Sequence, residues 1–146
     1  MFRLLRRLFF FRAPRDAGAE GECCAARWLE RERGFRIVAR NWRSPRDRRD
    51  EIDLVGRDGE VLVFVEVKAR AAGALVPGYF AVDERKKRAL RRAAEAYLAG
   101  LRAAPRTFRF DVVEIAWRSA DAGEGVDVRH FENVPLFAKH FRGRAE

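Results

Sequence analysis

The sequence predicts a single α/β domain whose elements follow the order α-β-β-β-α-β-β around a mixed central β-sheet flanked by helices. Three observations carry this expectation. Two stretches, 16–33 and 83–101, place apolar residues at helical spacing. Between them Asp58-Gly59, a strong hairpin signal, separates two strand-like runs, the second containing the apolar segment VLVFV. Two further strand-like runs follow the second helical stretch. The chain has 146 residues, 48% of them apolar with 12 Phe and 3 Trp, enough for one domain with a real core.

Residues 1–15 read as a basic, flexible arm that Pro14 closes, and 16–146 as the domain. The opening MFRLLRRLFFF is too short and too broken by arginine for a secretory segment, and no run approaches the ~20 apolar residues of a membrane span. Asp16 is the expected cap of the first helix and Gly34 its stop. Gly21, Cys24, Ala25, Trp28 and Leu29 share one arc of that helix, with Glu22 on the rim. A carboxylate at the edge of a buried face needs a partner. Glu20 points elsewhere.

Phe35–Trp42 reads as a strand, and Ser44–Asp50, with Pro45, as a polar turn. Glu51–Gly56 and Glu60–Lys68 form the hairpin strands. The second is apolar on both faces, which predicts a central position in the sheet. Ala71–Gly78 is a loop rich in Gly, Ala and Pro. Asp83 caps a helix that ends near Leu101, with Leu90, Ala93, Ala94, Tyr97, Leu98 and Leu101 as its apolar stripe. Phe108–Trp117 and Val126–Phe131 are the last strands, and Pro135–Phe141 is apolar enough to dock as a short helix.

Charge narrows the function. The chain carries 31 basic and 22 acidic residues, and residues 1–50 alone hold 14 Arg against 7 acids. Such a field points to a polyanion such as nucleic acid, or to an anionic surface. Only Lys68, Lys86, Lys87 and Lys139 are lysines, so drift toward arginine is the plain alternative. Cys23 and Cys24 are adjacent, with no Cys/His cluster for zinc; they read as small helix-core residues in a reducing, cytoplasmic compartment.

The hairpin brings acids together. With Asp58-Gly59 as a two-residue turn, Arg57 faces Glu60, Val55 faces Leu62, Asp53 faces Phe64 and Glu51 faces Glu66. Asp53 and Glu66 are then diagonal neighbours on one face, about 7–8 Å apart at Cα. Lys68 follows on that face. Like charges opposite one another destabilise a sheet, and a divalent cation would remove the repulsion. Hard oxygen donors suit Mg²⁺ or Mn²⁺. A neighbouring lysine can hold a water and stabilise charge on a phosphate. The same residues also read as a plain Glu66–Lys68 ion pair at a strand end.

Other candidates are weaker. Lys86 and Lys87 fall on the inner arc at the start of the second helix, where the helix dipole disfavours cations. They serve a phosphate or an acid there, or extend to solvent. Arg40 and Arg43 can reach a phosphate or base, while Trp42 between them reads as packing. Asp111 is expected to pair with a nearby arginine. His130 and His140 show no partner pattern and read as incidental.

Asp53-(x)12-Glu66-Val67-Lys68 resembles the catalytic signature of the PD-(D/E)xK, or restriction-endonuclease-like, nucleases. The chain also resembles the YraN family of that superfamily. The matching stretches are Gly18-x-x-Gly21-Glu22-x-x-Ala25-x-x-Trp28-Leu29, Arg40-Asn41-Trp42-Arg43, Glu51-Ile52-Asp53-Leu54, Phe64-Val65-Glu66-Val67-Lys68-x-Arg70 and Arg109-Phe110-Asp111-Val112-Val113. Asp50 departs from the family pattern, which has Gly before Glu-Ile-Asp. The layout is similar to archaeal Holliday-junction resolvases.

The resemblance implies a restriction-endonuclease-like core and metal-dependent cleavage of DNA, branched or structured in form, by a homodimer; the cysteine usage and the lack of a spanning apolar run add the expectation of a cytoplasmic enzyme without membrane attachment. It implies that Asp53, Glu66 and the Val67 carbonyl hold Mg²⁺ or Mn²⁺, that Lys68 positions the attacking water, and that Glu22 acts through a water or a second metal. Arg40, Arg43, Arg70, Lys86 and Lys87 are the expected nucleic-acid contacts. Two rivals stay open. One is a catalytically silent nucleic-acid-binding module on the same fold, and the other is an interaction protein whose basic face meets an acidic partner.

Overall fold

The computed structural model describes residues 17–71, 83–123 and 125–136. The arm of residues 1–15, the Asp16 cap, the loop from residue 72, His140 and the chain beyond Leu136 lie outside the described residues. The elements are α1 (Ala17–Arg33), β1 (Arg36–Arg43), β2 (Glu51–Asp58), β3 (Val61–Ala71), α2 (Glu84–Ala99), β4 (Thr107–Trp117) and β5 (Val126–Phe131). Their order is the expected one.

The five strands lie in the order β1-β2-β3-β4-β5, so the apolar β3 is central, as its two-faced apolar pattern requires. β3 and β4 run parallel and are connected through α2, while every other pair is antiparallel. Strand periodicity then sorts the core into two layers. Val63 and Val65 of β3 and Val113, Ile115 and Trp117 of β4 pack with Ala25, Ala26 and Leu29 of α1. Leu62 and Phe64 of β3 and Phe110 and Val112 of β4 pack with Leu90, Ala93 and Ala94 of α2. Val134 and Leu136 close the second layer. Trp42 is a packing residue, edge-on to Tyr97 with ring centroids 5.3 Å apart.

α1 stops and α2 starts where the sequence predicts, while α2 ends at Ala99, capped by Gly100, rather than near Leu101. Gly34 takes φ of +70° after α1, a left-handed conformation that costs glycine nothing. Asp83 caps α2, its side chain accepting the Lys86 N–H at 2.8 Å. No helix among the described residues is long and apolar enough to cross a membrane.

The hairpin turn corrects the predicted register. Asp58 pairs with Val61, Arg57 with Leu62 and Val55 with Phe64, so the turn residues are Gly59 and Glu60. Gly59 has φ of +57°, and Glu60 is absent from the positive-φ residues, which fits a turn that needs glycine only at its first central position. Asp58 stays in the strand, where it binds Arg109 at 2.9 Å. Continuing this register puts Asp53 opposite Glu66 rather than diagonal to it. It also removes Glu51 from its expected place across from Glu66. Glu51 pairs instead with Arg43 on β1, at 3.1 Å.

A second irregularity shapes β2. Ile52 and Val55 both belong to the α2 layer while Leu54 belongs to the α1 layer, so strict alternation breaks near Asp53. On β1, Arg40 pairs with Leu54 and Trp42 with Ile52, which puts Asn41 opposite Asp53. Asn41 has φ of +48°, a conformation asparagine tolerates better than most residues. The two strands change face together at this level.

Candidate functional site

The site forms where the β2–β3 ladder ends, at Leu54 opposite Val65. Beyond that pair the Asp53 side chain enters the gap, and its Oδ2 accepts the Val67 N–H at 2.8 Å. Glu66 is only 2% exposed. Its Oε1 lies 3.0 Å from Lys68 Nζ and 3.4 Å from Lys86 Nζ. Its Oε2 is buried without a hydrogen-bond partner among the described residues. Lys68 comes from the same strand, two residues on. Lys86 comes from the first turn of α2, which the Asp83 cap holds in place.

Two buried carboxyl groups at one point disfavour a second negative charge. Burial pushes the Asp53 carboxyl up to about 7, with help from the charges of Glu66 and Glu22, against the opposing pull of the Val67 N–H and Lys86. Glu22 approaches from the α1 side. Its neighbour Gly21 sits so close to β3 that an added Cβ would stand 2.7 Å from Ala69 Cβ. That contact is why the helix carries glycine here, and it lets α1 bring Glu22 within electrostatic reach of Asp53. Among the described residues, however, no three His, Cys, Asp or Glu side chains form a group that could by itself hold a metal ion.

The donor set nevertheless suits a hard divalent cation. Asp53 and Glu66 supply two carboxylates, and Glu66 Oε2, without a hydrogen-bond partner among the described residues, is a buried acceptor that can take a further ligand. Mg²⁺ is commonly held by one or two carboxylates, completing its shell with waters and substrate phosphate oxygens.

The remaining candidates divide. Arg40 is exposed on β1. Arg43 is engaged by Glu51, and Lys87 lies 3.5 Å from Glu84. Arg70 is half-buried near the end of β3, with its Nε buried and unbonded among the described residues. Cys23 and Cys24 are free thiols, and burial pushes Cys24 up.

Three features escaped the sequence reading. Asp50, read as the end of a polar turn, is buried and receives two hydrogen bonds from Arg92, at 2.9 and 2.8 Å. This clasp ties the start of β2 to α2. Glu114 is buried and is the register partner of Lys68, placing another acid on the Lys68 face.

The third is His130, which is not incidental. Its Nε2 lies 2.8 Å from Asp111 Oδ2, and its ring stands edge-on to Trp28 and Phe35. Asp111 also accepts from Arg109 Nε at 2.9 Å and from the Asn133 N–H at 2.9 Å. The expected arginine partner of Asp111 is thus Arg109. Burial raises the Asp111 carboxyl, but the bonds from His130, Arg109 and Asn133 outweigh it and hold the group below its ordinary range. Pairing with His130 was hidden because β5 supplies the histidine.

Fold and site together describe a three-layer α/β protein with a buried acidic pair and two lysines at an opening in its hairpin ladder. A family model, described as "Uncharacterised protein family UPF0102", matches residues 21–115. The chain belongs to this family, the one named YraN in the sequence resemblance. It is 46% identical over 123 residues to a UPF0102 protein of Beutenbergia cavernae, covering 84% of this chain and 98% of that one. A UPF0102 protein of Anaeromyxobacter dehalogenans is 46% identical over 115 residues, covering 78% and 79% of the two chains. UPF0102 protein CT2262 of Chlorobaculum tepidum is 47% identical over 111 residues, covering 75% and 81%.

Proposed function

We propose that the protein is a Mg²⁺- or Mn²⁺-dependent endonuclease that hydrolyses phosphodiester bonds in DNA. The observation that carries this reading is the buried pair Asp53 and Glu66, with Lys68 Nζ 3.0 Å from Glu66 Oε1. In this reading Asp53, Glu66 and the Val67 carbonyl hold the cation. When bound, a divalent cation polarises the phosphoryl oxygens and favours a hydroxide-like nucleophile. Lys68 orients the attacking water and stabilises the charge that develops on the phosphate. Glu22 acts at longer range, through a water or a second ion. A branched or single-strand-containing substrate and a homodimer come from the resemblance to junction resolvases, and a cytoplasmic setting from the adjacent Cys23 and Cys24.

The ion pairs of Glu66 with Lys68 and Lys86 also favour a second reading, because they neutralise the carboxylate without any metal. That reading is a DNA-binding module without turnover.

The test is nicking of labelled branched and linear DNA in Mn²⁺ or Mg²⁺, with calorimetric metal titration of each variant. Asp53→Asn should abolish cleavage and metal binding yet keep metal-independent DNA affinity. Lys68→Ala should reduce cleavage while the metal still binds. Equal cleavage by wild type and Asp53→Asn would mean a contaminating nuclease. DNA binding without cleavage by any form would favour the silent module.

A further inference from the structure

We infer that Glu114 is a positioning residue of the site: it holds the Lys68 ammonium across the sheet when the Glu66 carboxylate is engaged by a cation. The inference rests on the nuclease reading, in which Lys68 orients the attacking water, and adds a residue of β4 that this reading leaves unused.

The ladder fixes the placement. β3 and β4 run parallel, with Glu66 opposite Val112 and Lys68 opposite Glu114. Residues directly opposed share a face, and so do residues two apart on one strand. Leu62, Phe64 and Val112 belong to the α2 layer, so Glu66, Lys68 and Glu114 lie on that side of the sheet. Neighbouring strands are about 4.8 Å apart, a gap that a glutamate and a lysine side chain can close. Lys68 therefore has two acids beside it, Glu66 two residues back on its own strand and Glu114 on the next.

Burial gives Glu114 a need for that lysine. It is 6% exposed, inside the otherwise apolar run Val112–Trp117. A buried carboxylate is costly unless a cation faces it. Its register partner on the other side is Arg129, which is exposed on the edge strand β5 and can keep its charge in water. Lys68 is the partner on the inner side of the sheet.

The ion pairs give Lys68 a need for Glu114. One oxygen, Glu66 Oε1, lies 3.0 Å from Lys68 and 3.4 Å from Lys86. A carboxylate that ligates a divalent cation has little charge left for two ammonium groups. Lys86 has its side chain 37% exposed and can turn to solvent, whereas that of Lys68 is 26% exposed. Solvation of Lys68 would also take it off the water it orients. Glu114 supplies a second anion on the same face, so Lys68 stays charged and in place. Glu114 is not a third metal ligand: among the described residues no three His, Cys, Asp or Glu side chains form a group that could hold an ion.

The test reads the lysine ammonium groups directly, in nitrogen–proton NMR spectra of the full chain. There are only four lysines, and Lys68→Arg identifies the Lys68 signal by its loss. An ammonium held by a carboxylate exchanges its protons slowly enough to be seen, and a solvated one does not. Without metal, wild type and Glu114→Gln should both show the Lys68 signal, because Glu66 holds it in each. With saturating Mg²⁺, the wild type should keep the signal and Glu114→Gln should lose it. Glu114→Asp, which keeps the charge on a shorter stem, should retain part of it. Nicking of branched DNA should follow, with kcat of Glu114→Gln lowered roughly 10-fold and KM and Mg²⁺ affinity unchanged.

Loss of the Lys68 signal from wild type on adding Mg²⁺ overturns the role of Glu114 without any variant. A signal that survives Mg²⁺ in Glu114→Gln overturns it too, as does a fall in the Mg²⁺ affinity of that variant, which would make Glu114 a ligand. A wild type that takes up no Mg²⁺ in calorimetry overturns both this role and the metal-dependent reading beneath it.

Discussion

Asp53 on β2 accepts the backbone N–H of Val67 on β3 at 2.8 Å, just past the last pair of the hairpin ladder. A side chain thus satisfies a strand donor that the neighbouring backbone no longer reaches. The bond holds a carboxyl group at the opening where Glu66, Lys68 and Lys86 meet, although burial opposes its charge. The site and the local weakening of the sheet are one feature.

That arrangement makes stability depend on pH. The Asp53 carboxyl is raised from 3.8 to about 7, so the folded protein holds a proton that the unfolded chain releases between about pH 4 and 7. Stability in chelator should therefore fall as pH rises through this window and level off above it. Asp53→Asn keeps an oxygen for the Val67 N–H but carries no charge. It should abolish the slope and be more stable than wild type at pH 8 by on the order of 2 kcal/mol. Urea unfolding at several pH values measures both, and parallel curves for the two proteins would reject the assignment.

Gly21→Ala tests the close approach of α1 to β3. Alanine gains about 1 kcal/mol in helix propensity. Its Cβ would meet Ala69 Cβ at 2.7 Å, too close for packed carbons. Overpacking should win, for a net loss of about 1–2 kcal/mol. Adding Ala69→Gly should recover part of it by removing the opposing atom. A stabilised single variant would show that the helix can move away freely.

Asp111→Ala should cost about 3–5 kcal/mol, because it leaves Arg109 and His130 without their shared buried acceptor. The acid side of the stability profile should change too. The folded Asp111 carboxyl lies below its ordinary range, so its contribution is present above the unfolded value near 4 and is lost as pH falls through the lower folded value. Acid unfolding followed by near-UV circular dichroism should shift to higher pH in the variant. A variant as acid-resistant as wild type would rule this network out as a stabiliser.

Asp50 and Arg92 should couple in a double-mutant cycle. The two hydrogen bonds are well formed, but the Arg92 side chain is 57% exposed and solvent screens it. The coupling energy of Asp50→Ala with Arg92→Ala should be favourable but small, below that of a buried pair. A value near zero would mean that the clasp orders the start of β2 without stabilising it.

Much of the fold was legible in the sequence because the signals are local. Helical spacing, the Asp83 cap and the Gly34 stop each act within a few residues, and the two-faced apolar run of β3 already marked it as central. The shared neighbourhood of Asp53 and Glu66 was legible too, since a hairpin joins them. Its register was not, because it turned on whether Asp58 or Glu60 joined Gly59 in the turn. Glycine needed the left-handed position, and Asp58 had Arg109 to hold it in the strand.

By itself, then, the sequence determined the order of elements, their apolar faces and the acids and lysine of one hairpin. Only the tertiary structure decided the partners. Lys86 reaches Glu66 because α2 packs on the face of β3 that carries it. His130 reaches Asp111 across 19 residues, and Arg92 reaches Asp50 across 42. Hydrophobic periodicity is written residue by residue along the chain, whereas the choice of an ion-pair partner depends on which strands and helices become neighbours once the core has formed.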